Sequence, residues 1–272
     1  MVILTVEMSD IVAKESLAQV EKRNMYASEI IAKESLIQME KRNMGSSVSV
    51  QVIIAALNEE EGIAPTIAEL KDYLYKAKFL VVDGNSVDQT VPKAKSLGAE
   101  VICQDGHGKG DAFAKAVEHI ANDTDYVVIT DADFTYPAKH VPEMINMLDK
   151  DPSIGMVCGN RFTEHLEQAP NAMHDRFFLG NRLLAFTHNF LNGVQLADPL
   201  TGLRVVRASI LRGWRVKSKG FDIEVELNHR VEREGFGIAE IPIEYRERLG
   251  TKKLKVRHGA EILRRMILET SN

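Results

Sequence analysis

The sequence predicts an α/β domain: a mostly parallel sheet with helices on both faces. Three observations carry this. From residue 46 onward, short β-branched apolar runs alternate with segments whose apolar residues recur every three or four positions. The resulting β-α-β-α-β-α-β order joins successive strands by crossovers, which makes the strands parallel. Each run also ends in acidic or glycine-rich residues, at the strand ends where such sheets bind ligands.

Residues 48–54, Val-Ser-Val-Gln-Val-Ile-Ile, read as the first strand. Ile63, Ile67, Leu70 and Leu74 follow at helical spacing and mark one inward face. Phe79, Leu80, Val81 and Val82 make the second strand, and Val91, Ala94 and Leu97 the inward face of the next helix. Residues 101–103 form a short third strand. A helix over 109–120 turns Ala112, Phe113, Ala116, Val117 and Ile120 inward. Tyr126-Val127-Val128-Ile129-Thr130 then has the length and composition of a buried strand.

Of the 272 residues, 44% are hydrophobic and 27% charged, which fits one large α/β domain plus extensions. Cys103 and Cys158, both in apolar surroundings, give no disulfide framework and no metal spacing, so a reducing cytoplasm is expected. No apolar run approaches the ~18–20 residues of a membrane span, and residues 1–6 are too short for a signal-peptide core. Residues 1–45 carry a duplication: residues 11–17 recur at 30–36, and both copies end Glu-Lys-Arg-Asn-Met. Each copy reads as a short amphipathic helix. The pair offers a surface for a homodimer, or is a tandem duplication ahead of a domain over 46–272; the second reading is preferred. The net charge of −5 is uneven: residues 201–272 hold 16 Lys/Arg against 10 Asp/Glu. That basic third suits phosphate or an anionic membrane surface, or is a solvated face. No nucleic-acid partner is expected.

The chemistry concentrates at the strand ends. Asp131-Ala132-Asp133 closes the fourth strand, and two carboxylates one residue apart can hold a hard divalent cation through oxygen. Asn58 and residues 59–61, all Glu, follow the first strand; Asp83 with Ser86, Asp88 and Thr90 follows the second. Asp88 and Thr90 also fit simple helix capping. Gly108-Lys109-Gly110 is either a phosphate cradle at a helix N-terminus or only a turn. It lacks P-loop spacing, and no Gly-x-Gly-x-x-Gly follows the first strand.

These motifs, in this order, resemble those of a family 2 glycosyltransferase with a GT-A, Rossmann-like nucleotide-sugar-binding fold, over residues 48–268. Ala55-Ala56-Leu57-Asn58-Glu59 is similar to the family's first-strand motif, and Val81-Val82-Asp83 to its second, with Gly84 where a second Asp is common. Downstream, Gly159-Asn160-Arg161-Phe162, residues 175–182, Asp198-Pro199-Leu200-Thr201-Gly202-Leu203-Arg204, residues 220–226 and residues 241–248 resemble the polyprenyl-phosphate subgroup, such as dolichyl-phosphate mannose or glucose synthases. Lys252 stands where that subgroup usually has Ser.

The resemblance implies a nucleotide-sugar-binding half over 46–135 and an acceptor half over 136–272. Asn58, Glu59, Asp83, Lys109 and Asp131 would bind the nucleotide-diphosphate sugar, although Lys109 reads equally as an exposed helix-start lysine. Asp133, supported by Asp131, would hold Mg²⁺ or Mn²⁺. Arg161, Arg176, Arg204, Arg248 and Lys253 would bind the polyprenyl phosphate, with Arg204 alternatively paired to Asp198; Asp131, Asp133, Arg161, Arg176 and Arg248 form the catalytic set. A phosphate monoester has a second pKa near ~6 and needs cations rather than a base. A sugar-alcohol acceptor would need a carboxylate base, and Asp198, Asp222 and Glu224 are the candidates. The enzyme is expected in the cytoplasm, peripheral at the inner membrane face. Residues 246–265, with eight Arg/Lys, form either an interfacial basic helix or one packed on the sheet. The apolar stretch from Phe177 to Phe190 reads as core in preference to a lipid channel. The competing readings are an enzyme with a soluble or polysaccharide acceptor, a sugar nucleotidyltransferase (opposed by the acidic first loop) and a non-catalytic nucleotide or membrane-surface binding module.

Overall fold

The computed structural model describes residues 48–162, 176–192, 195–253 and 258–270, without the side chains of 176–179, 181 and 192. The duplicated segment and its expected helices and homodimer contact lie outside the described residues. Seven strands form one sheet: β1 (Val50–Ala56), β2 (Lys78–Asp83), β3 (Glu100–Cys103), β4 (Tyr126–Asp131), β5 (Ile154–Asn160), β6 (Arg204–Arg207) and β7 (Gly237–Pro242). Their order is β3-β2-β1-β4-β6-β5-β7, and β6 alone runs antiparallel to its neighbours. The expected mostly parallel sheet is therefore present.

The helices are α1 (Ile63–Tyr73), α2 (Thr90–Ser96), α3 (Lys109–Glu118), α4 (Val141–Lys150), α5 (Arg176–Asn192), α6 (Ala208–Leu211), α7 (Ile223–Arg233) and α8 (His258–Thr270). Strand side chains alternate between faces. On one face Ile53, Leu80, Val82, Val127, Ile129 and Val206 pack with Ala112, Phe113 and Ala116 of α3 and Leu227 and Val231 of α7. Their sequence alternates Val52, Ile54, Val81, Val128 and Val205 are buried too, and α4 packs against β5 and β6. Burial on both faces explains why these strands read as continuous apolar runs. Each such side chain contributes about 1.5–3 kcal/mol, and cutting Leu80 to Ala would cost about 2–5 kcal/mol.

Register sets the functional rim. Ala56 pairs with Asp83, and Ala55 pairs with Asp131, so the ends of β2, β1 and β4 stand side by side. Two local readings change. Cys103 is exposed at the edge strand β3, although Cys158 is buried as expected. In α5, Leu183, Phe186 and Phe190 are exposed rather than core, because the helix turns Ala185 and His188 inward instead.

Candidate active site

Asp131 is the last residue of β4, and Asp133 follows after a single residue. Phe134 has φ +65°, a left-handed turn that reverses the chain immediately beyond the dyad. The turn brings the Thr135 amide and hydroxyl to Asp133 Oδ1, at 3.2 and 2.6 Å. Arg248 donates to Asp133 Oδ2 at 2.8 Å. Lys109 Nζ donates to Asp131 Oδ1 at 2.7 Å and to Glu224 Oε1 at 2.7 Å. At Gly202 a Cβ would stand 2.3 Å from Asp131 Oδ2, so any larger residue would push this carboxylate from its place.

The two carboxyls are tuned in opposite directions. Burial raises Asp133, and the like charge of Asp131 raises it further. Burial opposes the charge of Asp131 as well, but Lys109 outweighs it and holds the carboxyl below its usual range. Two hard oxygen donors that repel each other fit a divalent cation, which would relieve that repulsion. Among the described residues no third His, Cys, Asp or Glu completes a cluster, so the other coordination positions would fall to substrate phosphate and water.

Residues 245–253 run across this rim. The Arg246 amide donates to Thr135 O at 2.9 Å, and Leu249 N donates to Asp133 O at 3.0 Å. The Arg246 guanidinium forms a two-pronged pair with Glu69 of α1, at 2.6 and 2.8 Å. Arg248 also donates to Glu59, and Lys253 Nζ lies 2.8 Å from the same Glu59 Oε1. Burial pushes the Glu59 carboxyl up against those two cations, and its Oε2 has no hydrogen-bond partner among the described residues.

The nucleotide-side residues sit where β1 and β2 end. Asn58, at φ +48°, accepts from the Val87 amide through Oδ1 at 2.8 Å, and its own amide donates to Ser86 Oγ at 2.8 Å. Its side chain therefore clips the two loops together. Asp83 is buried; Oδ2 accepts from the Ser86 amide at 2.9 Å, and Oδ1 has no partner among the described residues. Asp88 accepts from the Thr90 amide and hydroxyl, the local turn that the capping reading anticipates.

Several expectations are corrected. The Gly108-Lys109-Gly110 turn is not an open phosphate cradle: the Gly110 and Asp111 amides both donate to Lys219 O, at 3.1 and 3.4 Å. Gly108, at φ +92°, admits that approach. Lys109 is not an exposed lysine but a half-buried bridge, and its ammonium is held charged by two carboxylates against the cost of desolvation. Arg204 does not reach the acceptor side. Its strand position turns it into the interior, 1% exposed, where it donates to Thr201 O, Pro199 O and Asn228 Oδ1. Asp198 pairs with Arg161 instead, two-pronged at 2.6 and 2.8 Å. Arg176 begins α5, and its side chain lies outside the described residues.

Glu59, Lys109, Asp131, Asp133, Arg161, Arg248 and Lys253 all line one cleft of about 650 Å³. Leu200, Phe221 and Ile262 make its apolar wall. Two further lining residues were not anticipated. Tyr136 accepts from the Gly202 amide at 2.7 Å, and its ring meets Tyr245 edge-on at 5.4 Å. Tyr245 in turn lies 5.3 Å from the Arg161 guanidinium. An aromatic three residues beyond the dyad was the available signal for Tyr136.

The sheet, its rim carboxylates and the cleft define a glycosyltransferase of the GT-A type. Crystal structures of glucosyl-3-phosphoglycerate synthase from Mycobacterium tuberculosis share the fold. The complex with UDP superposes with a TM-score of 0.64 at 20% identity, covering 86% of this chain and 83% of that one. The complex with Mn²⁺, UDP-glucose and phosphoglyceric acid gives 0.64, with 86% and 82% covered. Residues 51–214 match the sequence model of glycosyl transferase family 2, and the chain belongs to that family. A dolichyl-phosphate hexose transferase of Haloferax volcanii is 32% identical over 80% of this chain and 92% of its own length. Glycosyltransferase AglJ of the same organism is 33% identical over 72% of this chain, which spans 63% of that protein. An undecaprenyl-phosphate mannosyltransferase of Micrococcus luteus is 27% identical, with 75% and 87% covered.

Proposed function

We propose that this glycosyltransferase moves a hexose from a UDP- or GDP-linked donor to a polyprenyl or dolichyl phosphate, with inversion, at the cytoplasmic membrane face. The observation that carries the reading is the pairing on the acceptor side. Asp198 is bound by Arg161, Asp222 by Arg265 at 2.9 Å, and Glu224 by Lys109. Each carboxylate that a sugar-alcohol acceptor would need as a base is held by a cation. The cleft is lined by Arg161, Arg248 and Lys253, themselves paired with Asp198, with Asp133 and Glu59, and with Glu59, so their charge is already gathered where a phosphate would arrive. A dianionic phosphate needs such cations to approach the donor diphosphate, and guanidinium forks suit its oxygens. The two prenyl-phosphate relatives support the same acceptor.

Asp133 and Asp131 would hold Mg²⁺ or Mn²⁺. A cation bound there neutralises the departing nucleotide diphosphate. Glu59 and Asp83 would hydrogen-bond base and ribose through the buried oxygens without partners, Glu59 Oε2 and Asp83 Oδ1. Lys109 keeps Asp131 ionised and fixed. Arg248, which donates to Asp133 Oδ2, would supply positive charge for the incoming phosphate. The acceptor oxygen then attacks the anomeric carbon directly, and one displacement gives inversion.

Sugar transfer from a panel of UDP- and GDP-sugars, with Mg²⁺ or Mn²⁺ and with or without a short polyprenyl phosphate, tests this. Release of one nucleotide that requires the lipid and is stopped by a chelator is expected. Transfer only to a soluble sugar or phosphosugar would replace the acceptor while leaving the class intact.

A further inference from the structure

We propose that the outward faces of α5 and α8 form a docking surface for an anionic lipid bilayer; this rests on the lipid-phosphate reading above and names the partner that delivers the acceptor. In α5, Leu183, Phe186 and Phe190 recur at helical spacing on one face and are 66%, 69% and 79% exposed. The Phe186 and Phe190 rings stack with centroids 6.3 Å apart, so they form one apolar ridge. The opposite face of the helix is already used: Ala185 and His188 are buried, and Leu184 and Leu191 pack against Val225, Ile262 and Met266.

α8 packs beside α5 and carries its own exposed apolar residues, Leu263, Ile267 and Leu268. Single exposed apolar residues are ordinary, whereas a cluster on two adjoining helices marks an interaction site. The same helix connects that surface to the cleft. His258 and Ile262 of its first turns line the cleft, beside Phe221. From His258 to Ile267 the axis rises about 14 Å. A lipid whose phosphate sits among the cleft cations thus has an apolar wall leading its chain toward the apolar surface.

Charge favours an anionic bilayer. α5 carries no acidic residue, and its Arg182 is exposed beside the ridge; α8 presents exposed Arg264 between Leu263 and Ile267, with the exposed Glu261 one turn earlier. An anionic headgroup layer neutralises both arginines while the phenyl rings enter the acyl boundary.

The test uses the full chain. Co-sedimentation is measured with vesicles of phosphatidylcholine alone and of an equimolar phosphatidylcholine–phosphatidylglycerol mixture, for wild type, Phe186→Ser/Phe190→Ser and Arg264→Glu. Wild type is expected to bind the anionic vesicles in preference to the neutral ones. The double variant should bind roughly 100-fold more weakly, and Arg264→Glu should lose the preference for anionic lipid. Transfer to a short, detergent-dispersed polyprenyl phosphate should be unchanged in the double variant, while transfer to the same lipid embedded in vesicles falls. Wild-type binding in the double variant would overturn the surface. So would a wild-type dimer in sedimentation velocity that the double variant dissociates, which would make this face a self-association site. Vesicle binding without transfer to any lipid phosphate would overturn the acceptor reading and leave the surface standing.

Discussion

Lys109 and Glu224 are 115 residues apart in the chain and 2.7 Å apart in the fold. Lys109 opens α3, Glu224 lies in the first turn of α7, and the same ammonium reaches Asp131. The ammonium is thus an electrostatic link between α3, α7 and the end of β4, fixing the carboxylate that precedes Asp133. Glu224→Gln keeps the hydrogen-bond geometry and removes one charge. It should retain the fold and lower kcat about 10–100-fold, the scale seen when a partner behind a ligand is lost. The apparent metal affinity should weaken with it. Lys109→Met leaves the buried Glu224 and the half-buried Asp131 without this cation and should cost about 3 kcal/mol of stability. Steady-state kinetics against metal concentration, with thermal melts of both variants, separate these effects. A Glu224→Gln enzyme with normal kcat would remove Glu224 from the positioning of Asp131.

Asp133 is held at one oxygen by Thr135 and at the other by Arg248, so its position does not depend on Asp131. Asp133→Asn removes the charge and keeps the shape. A cation that neutralises a diphosphate supplies several kcal/mol, so transfer should fall by at least ~100-fold. The melting temperature should hold or rise, because burial and Asp131 both oppose the charge at this position. Nucleotide release assays with Mn²⁺ titration, beside calorimetry, provide the check. Full activity would end the metal assignment.

How much of this was legible before the structure depends on the range of each signal. β1, β2 and β4 were legible because a strand buried on both faces must be apolar at every position, and Val52 and Ile53 both obey. α3 was legible through Ala112, Phe113, Ala116 and Val117, which share one helix face and are all buried. The Asp-x-Asp motif followed from its place at a strand end. Long-range partners were not legible. Nothing near Lys109 specifies Glu224, and nothing near Arg161 specifies Asp198 across 37 residues. Arg204 misled for the same reason: an arginine near conserved-type motifs suggests phosphate, whereas β6 inserts antiparallel between β4 and β5 and turns it to the interior. Phe186 and Phe190 misled because an apolar helix pattern states that a face is apolar, not what covers it.

Arg161 joins stability to the proposed binding of the acceptor. Its guanidinium spans both oxygens of Asp198, which is 1% exposed, and lies against Tyr245 at the cleft. Arg161→Ala should therefore cost about 3–5 kcal/mol, since it strands a buried carboxylate. Adding Asp198→Asn should recover much of that loss, because the stranded charge is gone. Use of the lipid phosphate should stay impaired in the double variant, with KM for the acceptor raised and donor affinity kept. Urea melts and acceptor-dependent kinetics on the two single variants and the double variant test the split. If the double variant restored acceptor KM as well, Arg161 would be a structural residue only.

His188 gives the protein an acid-sensitive point outside the lining of the cleft. It is fully buried on α5, within 3.3 Å of the Asn228 amide and 5.8 Å from the His229 ring. Burial holds its pKa down at about 4, against an ordinary 6.5, and the hydrogen bond to Asn189 only partly offsets it. The folded protein keeps His188 neutral while the unfolded chain accepts the proton, so acid favours unfolding. Its contribution is complete above pH 6.5, and falls as the pH drops toward 4, by up to about 3 kcal/mol in all and about 2 kcal/mol by pH 5. His229 is shifted down by burial as well and adds to the same slope. His188→Gln should flatten the dependence without abolishing it, since His229 remains. Urea unfolding at pH 7 and pH 5 measures the difference for both proteins. Equal losses in wild type and variant would mean that His188 accepts its proton inside the fold, with Asn228 or Asn189 turning to receive it.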